Sequence, residues 1–343
     1  MRNALSNMLE SRDWILADGA TGTNLFNMGL SSGDAPELWN ADQPDKIRAL
    51  YRGAVEAGSD LFLTNTFGGN ASRLKLHQAE GRVRELNRLG AELGREVADG
   101  SGRVVVVAGS MGPTGEIMAP MGTLTHALAV EMFHEQAEGL KEGGADVLWV
   151  ETISAPEEYK AAAEAAARAG MPWCGTMSFD TAGRTMMGLT SAAMVQMLAR
   201  LAPAPLAFGA NCGVGASDLL RTVLGFVDAG ADMPIIAKGN AGIPKYVDGH
   251  IHYDGTPALM AEYAVLARDC GARIIGGCCG TMPEHLRAMR EALETRAPGP
   301  RPTLEMIEAA LGGFSSRVDG TEPEGVGPES RRPRAGGRRR RET

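Results

Sequence analysis

The 343-residue sequence contains no apolar run close to the ~18 residues that a membrane-spanning helix needs. Its first residues, MRNALSNMLESRDW, also lack the continuous apolar stretch of a secretory signal peptide. Cysteine is scarce, since the chain has only five, and an odd number in a long chain argues against a disulfide framework. We therefore expect no membrane partner and predict a cytoplasmic protein whose reduced thiols bind a metal or pack in the core.

Aromatic residues are also few, at 5% of the chain, whereas hydrophobic residues make up 44%. A chain of this length and apolar content can bury a large core, either as one barrel or as two domains. The 45 glycines and 18 prolines, set between Ala- and Leu-rich stretches, are typical of a loop-rich α/β protein.

The net charge of −8 is unevenly distributed. Residues 331–343, RRPRAGGRRRRET, hold seven arginines and one glutamate, so this segment carries +6 and the remainder carries −14. A basic segment can contact nucleic acid or an acidic partner, but one with almost no apolar residues cannot offset the entropy of its own ordering. We predict a folded domain over residues 1–315 and a disordered arginine-rich tail over residues 316–343, and we do not expect nucleic acid as a partner.

Eight short runs rich in apolar residues recur along the chain and alternate with segments of helical periodicity. Alternating strands and helices favour a parallel sheet, and eight such units in about 300 residues predict a (β/α)₈ barrel. A doubly wound open sheet is the alternative, although ADGATGTN is a weak match to the glycine-rich phosphate loop of that fold. The eight runs are WILADGA, DLFLTNTF, VVVVAGS, VLWVET, WCGTMSF, LAFGANC, IIAKGNA and RIIGGCC.

Three cysteines stand at the ends of two of these runs. Cys212 closes the sixth run, and the adjacent pair Cys278 and Cys279 closes the eighth. Adjacent cysteines rarely bridge to each other because the disulfide would be strained. In a barrel the carboxyl ends of the strands meet at one mouth, so the three sulfurs can converge on a zinc ion and leave its fourth position open. The alternative is that these thiols, like Cys174 and Cys270, only pack in the core.

The order of several motifs resembles the homocysteine-binding zinc methyltransferases over residues 12–295. The stretches ADGATGTNLF, APELWN and SFDTAGRTMMG are most similar to the bacterial betaine–homocysteine S-methyltransferases. The resemblance implies a barrel with Zn²⁺ held by Cys212, Cys278 and Cys279, and methyl transfer from glycine betaine to the zinc-bound thiolate of homocysteine, giving methionine. The motifs are ADGATGTN, TNTFGGN, SMGPTGE, ETISAPEE, GANCGVG, KGNAGIP, YDGTP and GGCCGTMPEH.

The same resemblance supplies expected substrate contacts. Asp18 and Glu151 would bind the ammonium of homocysteine, and the N–H groups of Gly19 and Ala20 would bind its carboxylate. Ser178 and Asn240 would orient the substrate. The purely structural alternatives are that Asp18 caps a helix or a turn and that Glu151 pairs with an arginine.

The methyl donor is expected to meet aromatic faces, because a quaternary ammonium is attracted to them by cation–π interactions. Trp39 is the first candidate by resemblance. Gly68 and Gly69 stand where animal members carry a tyrosine, so Phe67, Tyr246 and Tyr253 are the candidate replacements. The resemblance also implies that homo-oligomers form. A second metal at His250, His252 and Asp254 is not expected.

Three other functions share these motifs or features. The chain could be the homocysteine module of a split methylfolate- and cobalamin-dependent methionine synthase. It could instead use S-methylmethionine or another sulfonium donor. A non-enzyme alternative, a zinc- or nucleic-acid-binding protein, predicts salt-sensitive binding that is lost with residues 331–343.

Overall fold

The computed structural model describes residues 3–242, 245–247 and 250–317, with the backbone alone for 245–247 and 250–252. All eight predicted strands are present, and they form one parallel sheet that curves into a nearly closed barrel. The strands are β1 (Ile15–Leu16), β2 (Leu61–Leu63), β3 (Val106–Met111), β4 (Val147–Ile153), β5 (Trp173–Met177), β6 (Phe208–Cys212), β7 (Ile235–Gly239), β8 (Lys245–Val247), β9 (His250–His252) and β10 (Ala272–Gly277). The strands β8 and β9 form a separate antiparallel hairpin, which the sequence did not predict.

Helices on the outside of the barrel connect consecutive strands, and their ends follow local sequence signals. The side chains of Thr125 and Thr256 each accept a hydrogen bond from the backbone N–H of the third residue of the helix that follows. Gly170 ends another helix in the left-handed conformation, which glycine adopts without strain. The helices are α1 (Ala4–Ser11), α2 (Thr21–Asn27), α3 (Trp39–Asp42), α4 (Pro44–Glu56), α5 (Ala71–Lys75), α6 (Val83–Asp99), α7 (His126–Glu142), α8 (Pro156–Ala169), α9 (Ser191–Leu198), α10 (Ala216–Asp228), α11 (Pro257–Asp269), α12 (Pro283–Thr295) and α13 (Leu304–Leu311).

The barrel interior is apolar at its amino-terminal end and polar at its carboxyl-terminal end. Trp149, Ile236 and Ile274 are among the buried side chains that fill the lower interior, and Leu5 and Met8 of α1 pack against them. A second apolar cluster lies between the sheet and the outer helices. The polar upper interior is therefore the part of the described core where we expect chemistry.

The described chain stays in contact with the barrel as far as its last residues. Ser315 donates its N–H to Asp218 at 3.0 Å, and Arg221 donates to the carbonyl of Ser316 at 2.7 Å. The predicted tail begins at residue 316, and residues 318–343 lie outside the described residues. Among the described helices, none is long and apolar enough to cross a membrane.

Asp60 connects β1 and β2, which do not pair directly with each other in the sheet. The N–H of Asp60 donates to the Leu16 carbonyl at 2.7 Å, and its carboxylate accepts from the Leu16 N–H at 3.0 Å. Arg12 and Arg290 hold the same carboxylate at 2.8 Å and 3.0 Å. Asp60 thus closes the barrel at the end opposite the polar interior.

Replacing Asp60 with asparagine is expected to lower the free energy of unfolding by about 2–3 kcal/mol, because one carboxylate is lost among three guanidinium groups. The effect falls below that of a fully buried pair because the arginine side chains are 29–42% exposed. Urea denaturation measures it. Asp45→Asn is the matched control, since Asp45 pairs with Arg48 but is 98% exposed. An equal shift of the midpoint in both variants would contradict this role of Asp60.

Candidate functional site

The structure brings the three predicted cysteines together at the carboxyl-terminal mouth of the barrel. Cys212 is the last residue of β6, and Cys278 and Cys279 directly follow β10. Their sulfur atoms all lie within 4.8 Å of one another, and those of Cys212 and Cys279 are 4.0 Å apart. All three are free thiols. Cys212 and Cys278 are 66 residues apart in the chain, but β6 and β10 lie on either side of β7 and bring them together.

The donor set and its spacing fit a zinc ion. Tetrahedral zinc with Zn–S bonds of about 2.3 Å separates its sulfur ligands by about 3.8 Å, close to the observed distance. Hydrogen bonding among the thiols raises the pKa of Cys212 to about 12 and that of Cys279 to about 11. Three neighbouring thiolates need a compensating positive charge, which a divalent cation supplies. Three cysteine ligands leave the fourth coordination position to a substrate.

Asn240, predicted to orient the substrate, joins the two loops that carry the cysteines. Its side chain donates to the Gly213 carbonyl at 2.9 Å and accepts from the Cys279 N–H at 3.1 Å. The same amide nitrogen lies 3.9 Å from the Cys212 sulfur. The backbone at Cys212 is left-handed, with φ of 61°, a strained conformation that surrounding contacts must hold. Asn240 supplies such contacts.

Asn211 of β6, which the sequence analysis did not assign to the site, links β4 and β5 to Cys278. Its side-chain oxygen accepts from the Thr152 N–H at 2.9 Å and the Thr176 hydroxyl at 2.7 Å. Its amide nitrogen lies 3.8 Å from the Cys278 sulfur. Its position directly before the strand-terminal Cys212 could have marked Asn211 as a site residue. The residues that it contacts could not be inferred from the sequence.

Asp18 and Glu151 are both buried in the polar interior, where they were expected to bind an ammonium group. Glu151 accepts a hydrogen bond from the Ser110 hydroxyl at 2.5 Å, and burial raises the pKa of its carboxyl. Asp18 accepts from the Leu63 N–H at 2.9 Å with one oxygen and pairs with Lys238 through the other. Asp18 therefore already has a cationic partner within the chain.

Lys238, like Asn211, is a site residue that the sequence analysis missed. It lies in β7 and is only 2% exposed. Burial acts to lower its pKa, but the carboxylates of Asp18 and Glu151 outweigh burial and raise the pKa, which keeps the ammonium charged. Its position inside an otherwise apolar buried strand could have marked Lys238 as a functional residue, because strands of a parallel barrel are normally apolar.

The expected carboxylate donors lie beside the loop after β10. The N–H of Ala20 donates to the Thr281 carbonyl at 3.0 Å, so this donor already has a partner. A Cβ on Gly19 would lie 2.6 Å from the same carbonyl oxygen, so glycine is needed there for the close approach. Ser178, 4% exposed, follows β5 and donates its N–H to Ile153 at 3.2 Å.

The candidate aromatic residues differ in their surroundings. Trp39 begins α3 and packs among apolar side chains, with the Lys46 ammonium 4.3 Å from its ring centroid. Phe67 packs against Gly112, where a Cβ would lie 2.6 Å from the ring. Half-buried Tyr253 packs against Gly280, where a Cβ would lie 2.5 Å from the first ring carbon, so its ring lies next to the residue that follows Cys279.

Three further candidates fall where side chains are not described. The side chains of Tyr246, His250 and His252 lie outside the described residues. The remaining cysteines, Cys174 and Cys270, are buried among apolar side chains.

Fold and site together define a (β/α)₈-barrel protein with a cluster of three thiols that could hold a metal ion. The cluster lies at the carboxyl ends of the strands, where enzymes of this fold carry their active sites. The family model for homocysteine S-methyltransferases matches residues 15–293. The chain belongs to this family.

Curated relatives and solved structures agree with this assignment. The chain is 32% identical over 295 residues to a methionine synthase of Mycobacterium tuberculosis and 30% identical to that of Mycobacterium leprae. Each match covers 81% of the chain but only 24% of the relative, so the chain spans about a quarter of their length. The oxidised form of the homocysteine methyltransferase MmuM from Escherichia coli superposes with a TM-score of 0.68 at 25% identity, covering 84% of this chain and 99% of MmuM. A metallated form of MmuM, at 24% identity over the same shares and a TM-score of 0.69, has the same fold.

Proposed function

We propose that the chain transfers a methyl group from glycine betaine to the sulfur of homocysteine, giving methionine and dimethylglycine. The observation that carries the proposal is the cluster of Cys212, Cys278 and Cys279, with sulfurs within 4.8 Å of one another at the barrel mouth. Membership of the homocysteine S-methyltransferase family supports it. The three cysteines would hold Zn²⁺.

A free thiol has a pKa near ~8.5 and is mostly protonated at neutral pH, so it is a poor nucleophile. Zinc, when bound, supplies a Lewis acid that lowers the pKa of a coordinated thiol. The chain itself fixes the geometry of the three ligands, because Asn240 and Asn211 hold the loops and strand ends that carry them. Contacts of this kind around metal ligands tune both orientation and affinity.

Burial and charge orient the amino-acid part of homocysteine. Glu151 lies at the end of β4 and would accept the substrate ammonium, while the Ser110 hydroxyl holds its carboxylate in place. Asp18 adds a second buried carboxylate close enough to Glu151 to act on its pKa. In the transfer, the thiol proton leaves, a new S–CH₃ bond forms, and the N–CH₃ bond of betaine breaks with its electron pair remaining on nitrogen.

Aromatic faces would hold the quaternary ammonium of the donor. Tyr253 is best placed for this, since its ring packs on Gly280, the residue that directly follows Cys279. Phe67 follows β2 and packs against Gly112, and Trp39 in α3 already has Lys46 over its ring. The donor site would therefore be centred on Tyr253.

A second candidate is the homocysteine module of a multidomain or split methionine synthase. The observation that favours it is the match to methionine synthases of which this chain covers only 24%. A methylfolate donor, delivered by a partner module, would then replace betaine.

The donor is identified by assaying methionine formation with the zinc-loaded full chain. Homocysteine is offered with glycine betaine, S-methylmethionine, dimethylsulfoniopropionate or methylfolate, one at a time, and methionine is quantified by mass spectrometry. We expect methionine with betaine and an equal yield of dimethylglycine. Turnover with a sulfonium donor alone would replace betaine as donor. No methionine from any single donor would contradict the proposal and favour the partner-dependent alternative.

A further inference from the structure

A buried lysine beneath the three cysteines has no place in the function proposed so far. Lys238 is 2% exposed and faces the barrel interior, between the β6 and β10 strands that carry the sulfurs. A buried charge is costly unless it is paired, so a lysine here is retained at an energetic cost. Its pairing with Asp18 offsets part of that cost.

The neighbouring strand leaves room for this lysine to cross the barrel. Lys238 is in register with Asn211 on one side and with Gly276 on the other. A Cβ on Gly276 would lie 2.8 Å from Ala17 and 2.9 Å from the Asp18 carbonyl. Because position 276 has no side chain, the Lys238 ammonium reaches the Asp18 carboxylate on β1.

Lys238, Asp18 and Glu151 together place positive and negative charges close to one another in the barrel interior. Lys238 has three N–H donors, and Asp18 takes one of them. Asp18 is also fixed by the Leu63 N–H, whereas Glu151 is held by the Ser110 hydroxyl. Glu151 is therefore the carboxylate left for an ammonium, and Lys238 is the cation left for a carboxylate.

The backbone donors expected for that carboxylate are partly committed. Ala20 gives its N–H to the Thr281 carbonyl at 3.0 Å, and Gly19 is pressed against the same carbonyl. A substrate carboxylate at this level therefore needs another source of positive charge. Among the described residues, Lys238 is the cation that pairs with Asp18 and also lies within electrostatic range of Glu151.

We propose that Lys238 recognises the α-carboxylate of the thiol substrate, so that the site selects α-amino-acid zwitterions through Glu151 and Lys238. This inference rests on the proposed function and names a specificity-determining residue for it. Each charge of the substrate then meets an opposite charge in a region that excludes water, where such contacts are strongest.

Equilibrium binding tests this role without any methyl donor. Titration calorimetry on the zinc-loaded chain compares homocysteine with 3-aminopropane-1-thiol, which lacks the carboxylate. In Lys238→Met, we expect affinity for homocysteine to fall about 30-fold because an attraction is lost. Affinity for the amine thiol is expected to stay equal or rise, because a repulsion is lost. A merely structural role would weaken both ligands together.

The controls separate this inference from the proposed function. Lys141→Met removes a lysine that bonds to the Ala169 carbonyl on the outer helices and should change neither affinity. Lys238→Gln, which can still donate to Asp18 but carries no charge, takes the place of the methionine variant if that variant does not fold, with the same expectation. An unchanged preference for homocysteine in the Lys238 variants would overturn the inference alone. Failure of the wild-type chain to bind homocysteine would overturn both.

Discussion

Replacing Cys212 with alanine is expected to lower the zinc content from about one ion per chain to near zero and methionine formation by about 10³-fold or more. Two cysteines would remain, and a two-thiol site leaves a zinc ion without the third ligand that the barrel provides. The homocysteine thiol would then keep its ordinary pKa and react poorly. Metal analysis after dialysis and the methionine assay measure the two effects.

The matched control for this variant is Cys270→Ala. Cys270 is also a free thiol, 2% exposed, but it packs at the end of α11 in the outer apolar cluster. Its replacement should cost about 1 kcal/mol of stability through a small cavity and leave zinc and activity intact. If Cys212→Ala kept a full complement of zinc, the metal would lie elsewhere and the proposed chemistry would fail with it.

The convergence of the cysteines could be predicted because it follows from topology. Buried runs closed by glycine and polar residues mark the strands, and the carboxyl ends of parallel strands meet at one mouth. Cys212 and the 278–279 pair stand at such ends, so the sequence spacing between them does not matter. The fold class and the thiol cluster are therefore properties of the pattern, and the structure contains both.

The contacts that set charge in the site could not be predicted in the same way. The pair of Lys238 and Asp18 joins residues 220 positions apart and depends on the absence of a side chain at Gly276. Likewise, Lys46 covers the ring of Trp39 because α3 and α4 are adjacent, a detail of helix packing. The sequence pattern predicts that a residue at the end of a strand faces the barrel mouth. Which side chains it contacts there depends on the register between strands, which the pattern does not give.

Glutamine in place of Glu151 is expected to lower kcat/KM for homocysteine about 300-fold, equivalent to about 3.4 kcal/mol, because the substrate ammonium loses its buried counter-charge. Glutamine keeps the shape and the oxygen that accepts from Ser110. With 4-mercaptobutanoate, which lacks the ammonium, the variant and the wild type should differ by less than about threefold. Steady-state rates with both thiols measure the contrast.

Stability should move in the opposite direction from activity in this variant. Burial raises the pKa of Glu151 in the folded chain above its ordinary value. Between the unfolded and folded pKa values the folded chain binds more protons, so this group's contribution to stability falls as the pH rises through that window. Above the unfolded pKa this group therefore lowers the free energy of unfolding, and Glu151→Gln, which does not titrate, should unfold at the same temperature as the wild type or higher.

Glu158 provides the control that separates a buried carboxylate from a functional one. It is 5% exposed, burial raises its pKa as well, and it accepts from the N–H and hydroxyl of Thr114 at 2.8 Å and 2.7 Å. Glu158→Gln should keep kcat/KM for homocysteine within about threefold, since Glu158 lies on an outer helix. Equal losses in the two variants, or an equal loss with 4-mercaptobutanoate in Glu151→Gln, would mean that Glu151 supports the barrel mouth and does not bind the ammonium.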